Sequence, residues 1–172
     1  MAGLDQRQRR TGMTSVEYSV EVDAPPEDVW AVTSDPRGLP AWERLIESVA
    51  APVGGLGPGV WFTVTMSFAG VRATVPCVVR EWEPPWRSVV GLDGLLVATV
   101  TTSVASLPFD RSVLRHEVQY VFKGPLGSFA AASLRAIGGA EYALRRGTDA
   151  QLRAIAANRR PSKAPKRRSS KD

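Results

Sequence analysis

His116 is the only histidine of the 172-residue chain, and it lies on the apolar side of a predicted strand together with Tyr120. An imidazole titrates near neutral pH, so His116 could act as a general acid or base. The same pattern is also consistent with a histidine in the core or at a cavity rim, hydrogen-bonded to backbone or to a tyrosine. His116 and Tyr120 are therefore the candidate catalytic residues, and the sequence leaves open whether the protein is an enzyme.

Other kinds of catalytic or cofactor site find little support. A serine nucleophile would have to use the same histidine, and no Gly-x-Ser-x-Gly motif is present. One histidine and the single cysteine, Cys77, are too few ligands for a zinc site, and a lone cysteine usually behaves as a small buried hydrophobe. The glycine-rich run 54–59 has no following Lys-Ser/Thr and precedes a strand, so it predicts a turn. We expect no metal and no cofactor.

The elements that would position these groups begin with a strand. Valine and tyrosine alternate with polar residues from Val16 to Asp23, the pattern of a strand with one buried face. Pro25 and Pro26 suit the first turn of a helix, and the Asp35-Pro36 pair predicts that this helix ends near Ser34. A second short helix is predicted after Gly38.

The rest of the domain is predicted to be antiparallel strands followed by one long helix. Strands are expected at about 47–52, 60–68, 71–82, 87–93, 95–104 and 112–122, with tight turns at 69–70 and 93–94. Apolar residues at helical spacing predict a helix over 125–157, in which Gly138-Gly139 should cause a bend or allow a close approach. The fold class is α+β: a curved antiparallel sheet of about seven strands wrapped on a long C-terminal helix, with two short helices after strand one.

This order of elements is the helix-grip arrangement, and five short segments carry a resemblance to a known family. They are VDAPPEDVW (22–30), LPAW (39–42), GPGV (57–60), EW followed by prolines (81–85) and GPLG (124–127). Over about 16–157 the chain resembles the START-like (SRPBCC) polyketide cyclase/dehydrase and lipid-transport family. The resemblance implies a cavity between sheet and helix that holds a hydrophobic small molecule, without metal or nucleotide. Some members are aromatase/cyclases and others bind lipids or quinones, so the fold does not decide the activity.

Strand alternation then predicts which side chains line the cavity. Most of them are apolar, as expected for a pocket that gains affinity by burying apolar ligand surface. The predicted ligand-binding residues are Phe62, Val64, Met66, Phe68, Val75, Cys77, Val79, Ala98, Val100, Thr102, Leu114, His116, Val118, Tyr120 and Phe122 on the strands, with Phe129, Ser133 and Ile137 on the long helix.

The positive charge lies at the ends of the chain. Of the formal net charge of +5, residues 158–172 carry +6 and the first twelve residues +2, which leaves −3 for the body between them. The body therefore lacks the basic face that phosphate binding needs. We predict a flexible basic N-terminus over 1–13, a ligand-binding domain over 14–157 and a disordered basic tail over 158–172. No apolar run long enough for a membrane span or a secretory signal is visible, so a cytoplasmic location is expected.

Three functions remain open from the sequence. The first is binding of a hydrophobic small molecule that is lipid-like, polyketide-like or quinone-like. The second is a polyketide aromatase/cyclase or dehydratase in which His116 is the acid/base. The third is an RNA- or protein-interaction module that acts through the basic tail, the only part expected to contact nucleic acid or an anionic surface. The protein could be a monomer or a homodimer.

Overall fold

The structure is a computed structural model that describes residues 13–68 and 70–159. The basic segments 1–12 and 160–172, which hold most of the predicted flexible ends, lie outside the described residues. The strands are β1 (Thr14–Val22), β2 (Ile46–Ala50), β3 (Trp61–Phe68), β4 (Val71–Glu83), β5 (Arg87–Leu92), β6 (Leu96–Leu107) and β7 (Arg111–Phe122), and the helices are α1 (Pro26–Thr33), α2 (Leu39–Trp42), α3 (Gly124–Ala136) and α4 (Gly139–Arg159), with a 3₁₀ turn at Pro36–Gly38.

The strands form one seven-stranded sheet in the order β1-β7-β6-β5-β4-β3-β2, and every neighbouring pair is antiparallel. β1 closes against the last strand, with Tyr18 opposite His116 and Val20 opposite Leu114. All other paired strands follow one another directly in the chain. The alternation of apolar and polar residues, together with the turn residues between strands, was therefore enough to predict these pairs. The predicted helix-grip architecture is confirmed.

A bulge in β4 helps the sheet to curve. The pairing of β4 with β5 shifts between Val79 and Glu81, so one extra residue lies on the β4 side. A bulge bends its strand and changes which residues face inward. Trp82 therefore turns toward the interior, where its ring meets that of Trp30 edge-on with centroids 5.1 Å apart.

The segment between β1 and β2 covers one end of the sheet. α1 buries Val29, Trp30 and Val32. The following turn brings Trp42 so close to Gly38 that a Cβ at position 38 would lie 2.4 Å from the indole ring. A side chain at position 38 would displace Trp42, so this glycine is needed for packing.

The predicted single C-terminal helix is broken in two. Gly138 and Gly139 have φ values of 106° and 83°, a left-handed conformation that ends α3 instead of merely bending it. Gly147, in contrast, does not interrupt α4. The apolar stripe is therefore not continuous from α3 into α4, and Leu126 and Phe129 on α3 are exposed.

α4 is the helix that the sheet grips. It contacts β1, α1 and α2, and Ile155 joins the buried cluster around Val29 and Leu114. A second cluster, built on Phe62, Val64 and Cys77, lies at the other end of the sheet. Within the described residues, no helix has both the length and the apolar character needed to cross a bilayer.

Candidate functional site: a cavity between the sheet and helix α4

Two adjoining compartments of a cavity lie between the inner face of the sheet and α4. The deeper compartment has a volume of about 270 Å³ and the other about 180 Å³. They share one wall, formed by Glu43, Met66, Leu92, Val100, Val118, Ala143 and Leu144. The deeper compartment also touches Trp42 from the first buried cluster and Phe62 from the second. The deeper compartment thus borders both buried clusters.

His116 is held in the wall of the deeper compartment by hydrogen bonds at both ring nitrogens. Nδ1 lies 3.0 Å from Thr102 Oγ1 on β6, and Nε2 lies 2.9 Å from Gln151 Oε1 on α4. An amide oxygen can only accept a hydrogen bond, so Nε2–H donates to Gln151 and the Thr102 hydroxyl donates to Nδ1. This arrangement satisfies a neutral imidazole and fixes its tautomer.

Burial is the larger influence on the charge of His116. The side chain is 6% exposed, and desolvation lowers the pKa of the imidazole below its usual value, while the bond to Gln151 raises the pKa by a smaller amount. A neutral ring at physiological pH follows. His116 can accept a proton from a ligand only by giving up the bond from Thr102, or through the Thr102 hydroxyl as a relay.

The lowered pKa of His116 predicts a pH-dependent stability. The unfolded protein binds a proton at the ordinary histidine pKa while the folded protein does not, so the folded state loses stability as pH falls from the unfolded pKa toward the lower folded pKa. Between pH 7.5 and 5.5, urea unfolding should show a larger loss of stability in the wild type than in a His116→Gln variant. Equal losses in the two proteins would contradict a buried neutral His116. Glu43 titrates in both proteins, so its contribution cancels.

Gln151 presents a second polar group to the cavity. The residue is 7% exposed, and its Oε1 is occupied by His116. Within residues 13–68 and 70–159 the amide nitrogen Nε2 has no hydrogen-bond acceptor. Every fully buried side-chain nitrogen or oxygen in those residues does have a partner, so Nε2 is not fully buried. The Nε2 atom is therefore accessible, and Gln151 lines the deeper compartment.

Glu43 is the carboxyl group in the shared wall. Its Oε1 accepts a hydrogen bond from the Leu45 N–H at 3.2 Å. Desolvation raises the pKa of Glu43 above its usual value, and the Leu45 N–H and the charge of Arg146 oppose that rise. None of the salt bridges within the described part of the chain includes Glu43.

Cys77 lines the deeper compartment with a buried free thiol. It is 1% exposed, and burial raises its pKa to about 12. Among the described residues, no three His, Cys, Asp or Glu side chains come together in a way that could hold a metal ion.

The raised pKa predicts slow chemical modification of Cys77. A rise of the pKa from 9.0 to about 12 lowers the fraction of thiolate about 1000-fold. A more basic thiolate is a better nucleophile, which raises the rate per thiolate only about 20–30-fold, so the net reaction is slower. Methyl methanethiosulfonate at pH 8 should therefore modify the native protein at least about 30-fold more slowly than the urea-unfolded protein, measured by mass spectrometry. Rates within threefold of each other would show that the thiol is not buried.

The structure brings many of the predicted lining residues together. The deeper compartment contains Phe62, Val64, Met66, Cys77, Val100, Thr102, His116 and Val118. The second compartment contains Ala98, Tyr120 and Phe122. The two candidate catalytic residues therefore lie in different compartments, and neither ring nitrogen of His116 bonds to the tyrosine.

Other predicted lining residues lie elsewhere. Val75, Val79 and Leu114 are buried in the two clusters and do not reach either compartment. Phe129 and Ile137 are 42% and 40% exposed, since the left-handed glycines at 138–139 end α3 and its stripe does not continue that of α4. Ser133 Oγ donates to the Phe129 carbonyl oxygen. The side chain of Phe68 lies outside the described part of the chain.

The sequence did not predict three polar residues of the cavity wall: Thr148 and Gln151 on α4, and Glu43 directly after α2. Gln151 and Thr148 lie at helical spacing from Leu144 and Ile155, so two polar side chains interrupt the inward stripe. That interruption was the available signal for a polar patch. Glu43 had no comparable signal, because a carboxyl in a connecting segment is usually solvent-exposed.

The comparison with known families decides the classification. Residues 13–158 match the family described as polyketide cyclase / dehydrase and lipid transport. The chain belongs to this family. Membership implies hydrophobic-ligand binding or cyclase activity, and the resemblance predicted from the sequence is confirmed. No curated protein matches the sequence significantly.

Solved structures agree with the family's fold. A protein of Thermus thermophilus is 15% identical with a TM-score of 0.66, over 85% of this chain and 99% of that one. The Zhui aromatase/cyclase from Streptomyces sp. R1128 is 20% identical with a TM-score of 0.61, over 85% and 93%. A START superfamily protein from Mycobacterium smegmatis is 16% identical with a TM-score of 0.58, over 82% and 98%. At these identities the likeness shows the fold alone.

Proposed function

We propose that this family member binds a hydrophobic small molecule between the sheet and α4. The observation that carries the proposal is the pair of adjoining compartments, with walls of valine, leucine, methionine and aromatic side chains and only a few polar groups. An apolar molecule that buries roughly 200 Å² of its surface there gains about 5 kcal/mol before the costs of association. The polar groups would fix its orientation.

The direct test is binding of a neutral apolar fluorophore to the purified full chain. N-phenyl-1-naphthylamine should bind saturably at one site per chain, with a blue-shifted emission. Native mass spectrometry of the protein as isolated should show a bound molecule that organic extraction removes. Absence of saturable binding, together with a protein that carries no extractable molecule, would overturn the proposal.

A cyclase or dehydratase activity is the second candidate, and the position of His116 in the cavity wall favours it. A neutral imidazole with a fixed tautomer could take a proton from an activated methylene group through the Thr102 hydroxyl. The family's description as polyketide cyclase / dehydrase makes a linear polyketide the substrate to try. A His116→Gln variant should then lose turnover and retain fluorophore binding, whereas unchanged turnover would remove His116 from the mechanism.

A further inference from the structure

Two polar groups in the cavity wall have complementary hydrogen-bonding roles. Gln151 Nε2 is an accessible amide donor on a side chain that is otherwise buried. Glu43 supplies carboxyl oxygens in the wall shared by the two compartments. Both residues line the deeper compartment, and Glu43 also lines the second one.

The surroundings of Glu43 indicate what it would bind. A carboxylate can accept a hydrogen bond from a hydroxyl group or pair with an ammonium group. The charge of Arg146 already acts on Glu43, and an ammonium group in the same partly desolvated place would meet that positive charge. A neutral hydroxyl donor meets no such repulsion.

The surroundings of Gln151 indicate an acceptor oxygen. Its Oε1 is engaged by His116, which leaves only N–H donors for a ligand. A ligand without an acceptor would leave this amide nitrogen buried without a partner, and an unmet buried donor is costly. A carbonyl oxygen is the group that satisfies it without adding a charge.

Resting on the binding function proposed above, we infer that the ligand is an apolar molecule with a carbonyl oxygen that accepts from Gln151 and a hydroxyl group that donates to Glu43. Gln151 and Glu43 are then the specificity-determining residues of the cavity. The apolar body of the ligand lies along Val100, Val118 and Ala143, which line both compartments.

Four compounds on one scaffold test this assignment: naphthalene, 2-naphthol, 2-acetylnaphthalene and 6-acetyl-2-naphthol. Each is measured by displacement of N-phenyl-1-naphthylamine from the full chain. In the wild type the hydroxyl group and the carbonyl group should each strengthen binding at least threefold, and the compound with both should bind at least tenfold more tightly than naphthalene.

Variants at the two residues should remove the two gains separately. The gain from the hydroxyl group should fall in Glu43→Gln and disappear in Glu43→Met, while the gain from the carbonyl group persists. Gln151→Glu keeps an oxygen for His116 but replaces the donor, so it should abolish only the carbonyl gain. Glu47→Gln is the matched control, because this exposed carboxylate pairs with Arg72 and lies outside the cavity.

The outcomes separate this inference from the binding proposal. Two results would overturn the inference even if naphthalene binds. One is that the hydroxyl and carbonyl groups change the wild-type affinity by less than twofold; the other is that the hydroxyl gain persists in Glu43→Met and the carbonyl gain persists in Gln151→Glu. Failure of naphthalene and the fluorophore to bind at all would overturn the binding function itself. Circular dichroism and thermal unfolding confirm that each variant is folded before its affinity is compared.

Discussion

Replacing Ala143 with tryptophan is expected to lower the affinity for N-phenyl-1-naphthylamine at least 100-fold. Ala143 lies on α4 and lines both compartments, so an indole at this position would take up space in both. A ligand would then have to displace the ring or bind in only part of the cavity. A 100-fold loss corresponds to about 2.7 kcal/mol of binding free energy.

The same substitution should not unfold the protein. Overpacking a dense core costs about 1–3 kcal/mol, but here the new ring enters space that is empty of protein atoms. Fluorescence titration measures the affinity, and thermal unfolding measures the stability. The melting temperature of Ala143→Trp should stay within a few degrees of the wild type, roughly the shift expected from 1 kcal/mol.

Ala156→Trp is the matched control on the same helix. Ala156 is exposed and lines neither compartment, so tryptophan there should leave affinity unchanged. If Ala143→Trp bound the fluorophore as tightly as the control does, the fluorophore would bind outside the cavity. The proposed site would then be wrong, even though the protein binds an apolar molecule.

Replacing His116 with alanine is expected to destabilise the protein by about 3 kcal/mol, the second large effect. The substitution removes the partner of Thr102 Oγ1 and of Gln151 Oε1, both on residues that are more than nine-tenths buried. Each polar group left without a partner costs about 1–3 kcal/mol. Urea unfolding should show the loss directly, and the melting temperature should fall by roughly 6–12 °C.

Two variants calibrate this result. Thr102→Val breaks only one of the two hydrogen bonds and should cost about 1 kcal/mol. Arg115→Ala changes the neighbouring residue on the outer face, where a half-exposed pair with Glu17 at 2.7 Å contributes at most about 1 kcal/mol. A loss below 1 kcal/mol in His116→Ala would mean that the three side chains do not form a network in solution.

The sequence was sufficient for the fold because the deciding signals are local. Alternation of period two in 16–23, the prolines at 25 and 26, and a succession of hairpins leave few ways to arrange the chain. Antiparallel strands that follow one another pair with their sequence neighbours, so the seven-stranded order follows once β1 is placed beside β7. The inward positions of Phe62, Val64 and His116 follow from the same alternation.

Predictions that depended on continuing a pattern through an interruption were less accurate. A single continuous helical stripe put Phe129 and Ile137 in the predicted cavity, but the left-handed glycines at 138–139 end α3, and both side chains are exposed. The sequence indicated a bend there but gave neither its size nor its direction. Those depend on how α3 and α4 each pack against the rest of the protein.

What the sequence by itself determined is the order, type and inward faces of the strands, which put His116 on the inner face of the sheet; the cavity there was what the family resemblance implied. Only the tertiary structure decided that His116 bonds to Gln151, 35 positions away, and that Glu43 faces the cavity. The physical reason is distance along the chain. Strand alternation acts between adjacent residues, whereas the partner of a buried polar atom is chosen by whichever element the completed packing brings against it.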